Sequence, residues 1–168
     1  MRQPGAGYAS SPGYVLKRAQ AALHARMDDA LRPLGLTVAQ YACLEQLSHR
    51  PGVSNADLAR SAFVSRQSMN VVLRGLADRG LLHRDHDAVE GRAVPTRLSS
   101  SGAELVARGR VLVDAIDAEV TATLGRSAAT VVRSLTAVAE ELEAGRAQPA
   151  AADPTTEAVA DAARKVRR

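Results

Sequence analysis

Residues 54–82 read SNADLARSAFVSRQSMNVVLRGLADRGLL, and this stretch decides the fold. Ser54 and Asp57 have the Ser-x-x-Asp spacing of a capping box, which predicts a short helix through about Ser61. After a brief turn, Ser65 is placed to cap a second helix running to Arg79, and Gly80 suits the left-handed residue that ends it. Met69, Val72, Leu73 and Leu76 fall at i, i+3, i+4 and i+7, the spacing of a buried stripe. Arg66, Gln67, Asn70 and Arg74 are then expected on the opposite, polar face. Two short helices, a tight turn and an exposed Arg/Gln/Asn/Arg face predict a helix-turn-helix, whose second helix is shaped to enter a DNA major groove.

Working outward, residues 81–86 (LLHRDH) and 93–98 (AVPTRL) predict two short strands around a polar tip at 87–92. Pro95 keeps its strand at an edge, because it has no N–H for the ladder. Ser99 is expected to cap a long helix with Leu105, Leu112, Ile116, Val120 and Leu124 on one face, broken by Gly125. Ser127 opens a last helix with Val131, Leu135, Val138 and Leu142 in register. On the N-terminal side, residues 1–12 read as loose, and Leu16, Ala19, Leu23, Met27 and Leu31 predict an amphipathic helix over 14–32, closed by Pro33 and Gly35. Thr37 caps a further helix with Tyr41, Leu44 and Leu47 on its apolar face and Cys43 at the margin. Residues 147–168 turn Ala/Pro/Thr-rich and end in a basic cluster, which reads as a disordered tail.

Composition agrees with a helical protein. The 168 residues include 33 Ala but only three Tyr, one Phe and no Trp, which favours closely packed helices over a β-rich core. One Cys excludes a disulfide framework and a Cys-rich zinc ribbon. No apolar run is long enough to span a membrane, and the N-terminal residues lack the apolar core of a signal peptide, so a cytoplasmic location is expected. The net charge of +4 is unevenly placed: residues 50–110 carry +4, whereas residues 111–146 carry −3. A basic middle beside an acidic helical region fits a nucleic-acid-binding module on a helical platform.

Several short pieces, taken in order, resemble the multiple-antibiotic-resistance regulator (MarR) family of bacterial winged-helix transcription factors. They are Leu36-Thr37-x-x-Gln40-Tyr41-x-x-Leu44-x-x-Leu47, Asp57-Leu58-Ala59, Val64-Ser65-Arg66-Gln67-Ser68, Leu76-x-x-Arg79-Gly80-Leu81-Leu82, and Gly91 through Ser99 followed by Gly102. The resemblance covers residues 14–146. It implies a mainly α fold with a winged helix-turn-helix core over about 37–98. It also implies a homodimer clamped by helices at 14–32 and 99–146. Two departures stand out. Ala62-Phe63 precedes the second helix where the family often has Leu followed by Gly or His, and the wing carries Glu90-Gly91-Arg92 where Asp-x-Arg is common.

Within that frame, Gln67, Ser68 and Asn70 offer donors and acceptors to base edges, Ser65 and Arg66 lie at the helix start, and Arg74 suits phosphate. Arg92 at the wing tip suits a narrow minor groove. The resemblance also implies a pocket for a small aromatic or phenolic acid between the dimerisation helices and the winged domain, for which His24, Met27 and Tyr41 are candidates. No cofactor is expected. Cys43 lies mid-helix beside an apolar stripe, unlike a reactive thiol. His83, Asp85, His86 and Asp87 do not converge on a strand as metal ligands must. Without a phosphate loop, HExxH or Gly-x-Ser-x-Gly, enzymatic function is not expected. The expected function is a ligand-responsive repressor that binds a pseudo-palindromic operator in double-stranded DNA. The alternatives are a winged-helix module that binds protein partners, and a DNA binder without a ligand.

Overall fold

A computed structural model describes residues 7–84 and 96–147. Among the described residues six α-helices run in the order α1 (Pro12–Leu31), α2 (Val38–His49), α3 (Asn55–Ser61), α4 (Arg66–Asp78), α5 (Ser100–Leu124) and α6 (Ala128–Ala147). Strands β1 (Leu82–Arg84) and β2 (Thr96–Leu98) lie between α4 and α5 and pair antiparallel, with Leu82 opposite Leu98 and Arg84 opposite Thr96. The turn between the strands, with the expected tip at 87–92, and the expected tail lie outside the described residues.

The helix starts follow from side-chain caps. Thr37 and Gln40 form a reciprocal capping box, with the Gln40 amide N–H donating to Thr37 Oγ1 at 3.2 Å and the Thr37 N–H to Gln40 Oε1 at 3.0 Å. At Ser54 the reciprocal bond differs from the expected box: its Oγ accepts from the Asp57 N–H at 3.1 Å and donates to the Asp57 carboxylate at 2.6 Å. Asp57 in turn pairs with Arg60. Ser65 caps α4 as expected, accepting from the Ser68 N–H at 3.0 Å. The first helix begins earlier than its apolar pattern suggests, because Ser11 caps it and Pro12 fits the first helical position.

Contacts divide the chain into two units, Met1–Glu119 and Val120–Arg168. In the first, Leu31, Leu36, Tyr41, Cys43, Leu44, Leu47, Leu58, Met69, Leu73, Leu76, Leu81 and Val106 join one core drawn from α1 through α5. Cys43, in the middle of α2, is fully buried within the core rather than at the margin of the apolar face, and burial pushes its thiol up to about 12. Val72 is only half-buried, flanking the Met69/Leu73/Leu76 stripe. Of the expected α5 stripe, Ile116 is buried and Leu105, Leu112 and Leu124 are half-buried, but Val120 is exposed and the other buried positions are Gly102, Val106 and Gly109. In the second unit α6 begins at Ala128, after a 3-10 turn over Gly125–Ser127. It leaves Val132, Leu135, Val138 and Leu142 exposed.

Two glycines set the approach of α5. A Cβ at Gly102 would collide with the Leu81 carbonyl oxygen, and one at Gly109 would stand 2.9 Å from the Tyr41 ring. Farther along, Arg110 clasps Glu45 of α2 with Nε at 3.1 Å and Nη2 at 3.0 Å, and Nη2 also reaches Ser48 Oγ at 3.1 Å. His49 Nε2 lies 2.8 Å from the same carboxylate. Partial burial raises the Glu45 pKa, but hydrogen bonds from Arg110 and His49 outweigh it and hold the carboxyl below its usual range.

Gly102→Ala is expected to destabilise the protein by about 1–3 kcal/mol, because backbone must move to admit the methyl group. Gly75→Ala meets nothing within 4 Å, and in mid-helix should gain up to about 1 kcal/mol. Urea unfolding of both variants reads the opposite signs. A second expectation concerns acid. Because the folded-state pKa of Glu45 lies below its ordinary value of 4.5, its contribution is present above that value and is lost as pH falls through the lower one. Glu45→Gln should therefore be less stable near neutrality and show a shallower loss of stability below about pH 5, measured by thermal melts across pH.

Candidate nucleic-acid interface

The second helix of the helix-turn-helix, α4, is anchored from behind. Met69, Leu73 and Leu76 are buried against the core, and the C-cap residue Arg79 donates from Nη1 to the Gly35 carbonyl at 2.9 Å. With that stripe buried, the opposite side of the helix has to face solvent, and Ser65, Arg66, Gln67, Ser68, Asn70 and Arg74 are all exposed. The four residues expected on the polar face, Arg66, Gln67, Asn70 and Arg74, are on the surface, as are Ser65 and Ser68. The seventh, Arg92, lies outside the described residues.

The six are not equivalent. Ser65 and Ser68 hold each other at 2.8 Å between hydroxyls, in addition to the cap bond, so their oxygens are committed to starting the helix. Asn70 accepts through Oδ1 from Asn55 Nδ2 of α3 at 2.5 Å, which fixes its amide and turns its own NH2 away from that bond. The outward stripe is centred on Gln67, Val71 and Arg74, at i, i+4 and i+7. Among the described residues, neither Arg66 nor Arg74 has an ion-pair partner. The arrangement presents two unpaired guanidinium groups and two amides on a rigid helix, the donors that phosphate oxygens and purine edges accept.

One feature escaped the sequence reading, and a second, Phe63, stood out there only as a departure from the family pattern. Val71 is 58% exposed in the middle of the polar face. Phe63, in the turn before α4, is 93% exposed and has φ +54. That is the left-handed region, which a bulky side chain rarely adopts. Alternation and helical periodicity carry no signal for a turn residue's φ.

The candidate ligand residues differ in exposure. His24 is exposed and lies 3.4 Å from Asp28 on its own helix, Met27 is half-buried, and Tyr41 is buried against Gly109. Burial, reinforced by the negative charge of Glu45, pushes the Tyr41 hydroxyl up to about 12. A recess of about 370 Å³ is lined instead by Asp28, Arg32, Gly35, Leu36 and Thr37. On its rim Asp28 accepts from the Val38 N–H at 3.2 Å, and the Arg32 guanidinium reaches Asp29 at 2.6 Å. Among the described residues no group of three or more His, Cys, Asp or Glu is arranged to hold a metal, and no helix is long and apolar enough to cross a membrane.

Three packed helices ending in an exposed reading helix, followed by a two-stranded wing, define a winged helix-turn-helix protein. Residues 34–93 match the profile of the MarR family. The HTH-type transcriptional repressor Rv2887 of Mycobacterium tuberculosis (strain ATCC 25618 / H37Rv) is 45% identical over 112 residues, covering 67% of this chain and 81% of that protein. Two structures of Rv2887 from M. tuberculosis are similar in fold. The complex with salicylic acid has a TM-score of 0.61 at 40% identity, covering 79% of this chain and 96% of that one. The complex with DNA has a TM-score of 0.59 at 38% identity, covering 79% and 98%. The chain belongs to the MarR family.

Phe63→Asn should raise stability by about 0.5–1 kcal/mol, since Asn tolerates the left-handed region and removes an exposed ring. Equilibrium unfolding checks this, and a loss of stability would show that the ring has a packing role.

Proposed function

We propose that the chain is a homodimeric transcriptional repressor, without catalytic activity, that works in the cytoplasm and reads a pseudo-palindromic operator with α4 in the major groove. The observation that carries this reading is the exposed surface of α4, where Gln67 and Arg74 lie opposite the buried Met69, Leu73 and Leu76 and Arg66 is exposed in the first turn. Arg66 and Gln67 lie in the first turn, where a recognition helix meets base edges, and Arg74 sits two turns on, in reach of phosphate. Arg92 serves the minor groove from the wing. Rv2887, the relative bound to DNA, supports the same use of the fold here.

Residues 37–98 form the DNA-reading core in this proposal, and helices over 14–32 and 99–146 form the dimer interface. Val15 and Leu16 of α1 are exposed, and so, in the second unit, are Val132, Leu135, Val138 and Leu142 of α6. Apolar helical faces of this kind are what a two-fold partner covers. The two α4 helices then meet successive turns of the groove, about 34–36 Å apart.

The regulator of binding is a small aromatic acid. Salicylic acid occupies Rv2887, and in this chain the recess beside Arg32 supplies a cation for a carboxylate next to the apolar Leu36. His24, Met27 and Tyr41 are the further residues assigned to this ligand.

Fluorescence anisotropy against duplexes tiled across the gene's upstream region, with a shuffled control at several salt concentrations, tests the reading. One duplex should bind about 10³-fold or more tighter than its shuffle. Arg66→Ala should cost about 1–3 kcal/mol on that duplex specifically. Arg74→Ala should weaken both duplexes and reduce the salt slope by about 1. If neither substitution weakens binding, α4 is not the reading helix. If no duplex is bound, the partner-binding alternative takes its place.

A further inference from the structure

Val71 breaks the chemistry of the face it sits on. Its neighbours along the outward stripe of α4 are Gln67 one turn before and Arg74 one turn after, and it is 58% exposed between them. It is not a displaced core residue. The core side of α4 is already filled by Met69, Leu73 and Leu76, with Val72 as the half-buried flank. Nor does helix propensity account for it, because a β-branched side chain is among the poorer choices for an exposed helical position.

The surroundings indicate what covers Val71. Arg66 and Arg74 are exposed on the same helix without ion-pair partners among the described residues. An apolar protein surface docked here would strand those charges, whereas a polyanion neutralises them. On a DNA major-groove floor only one group is apolar, the C5-methyl of thymine. A valine in a helix is nearly restricted to one χ1 rotamer, so its two methyl groups are already fixed before contact and lose little freedom on binding.

We propose that Val71 is a specificity-determining residue that packs against the C5-methyl of one thymine in each half of the operator. The hydrogen-bonding groups of Gln67 and the Asn55-held Asn70 amide read neighbouring edges. This inference rests on the assignment of α4 as the reading helix. It adds to that assignment a thymine at a defined place in the half-site, which hydrogen-bonding residues alone do not demand.

The experiment uses the full-length protein and the specific duplex, with each thymine in turn replaced by deoxyuridine, which removes only the methyl group. Wild-type protein should lose about fourfold in affinity per half-site at one symmetric position, the worth of one buried methyl group. Val71→Ala should lose a similar factor on the thymine duplex and become insensitive to deoxyuridine at that position alone. Its melting temperature should be unchanged or higher, since Ala is the better helix former. If the duplex is bound specifically but no thymine loses its methyl effect in Val71→Ala, the contact does not exist and the reading of α4 stands without it. If no duplex is preferred over its shuffle, both fail together.

Discussion

The close approach of the α5 start to the backbone at the end of α4 is the constraint on which the rest of the first unit depends. Ser99 is the joint. Its N–H donates to the Leu81 carbonyl at 3.1 Å, its hydroxyl donates to the Gly80 carbonyl at 2.7 Å, and its Oγ accepts from the Gly102 N–H at 3.0 Å. Three backbone groups at a helix end, a strand start and a helix start are thereby satisfied around one nearly buried side chain. The contact is possible only because position 102 lacks a Cβ. Gly80, at φ +69, turns the chain out of α4 so that Leu81 arrives there. The recognition helix, the root of the wing and the long helix consequently share one anchor.

That anchor explains which parts of the fold were legible in the sequence. The caps at Thr37, Ser54 and Ser65 and the Met69/Leu73/Leu76 stripe are local patterns, and local patterns are written in adjacent residues. The phase of α5 was not legible in the same way. An apolar stripe through Leu105, Leu112 and Val120 looks reasonable by counting, yet the helix buries Gly102, Val106 and Gly109. Glycines carry no hydrophobic signal, so periodicity steers away from the face where the backbones approach most closely. Cys43 fails to stand out for a related reason. Its helix is covered by α1, α3, α4 and β2, and a helix buried on several sides has no single apolar face to read.

On the candidate interface, residue type marked the polar face correctly but could not rank its members. Ser65, Ser68 and Asn70 have the same chemistry whether or not their atoms are already engaged, and only the positions of Asn55 and the helix start show that they are. The consequence is a division of labour along α4. Part of the polar surface builds and orients the helix, and the remainder, Arg66, Gln67, Arg74 and the NH2 group of the Asn55-held Asn70, is free to meet a ligand. Val71 was overlooked because an exposed valine in a helix looks like a weak core position until the true core side is known.

The same geometry bears on how a ligand at the recess could alter DNA binding. Gly35 lines the recess, and its carbonyl accepts the hydrogen bond from Arg79, the residue that closes α4. Asp28, another lining residue, accepts from Val38 at the start of α2, which packs directly on α4. The recess is thus bonded to both ends of a short path: to the terminus of the reading helix through one guanidinium, and to its supporting helix through one carboxylate. A ligand shifts an equilibrium only by binding one arrangement better than the other. A carboxylate seated at Arg32 would have to compete with Asp29 for that guanidinium, and its binding energy would favour one position of α4 only if the Arg79–Gly35 bond differed between the two arrangements. Such a dependence, rather than distance or shape, is what would couple the recess to α4.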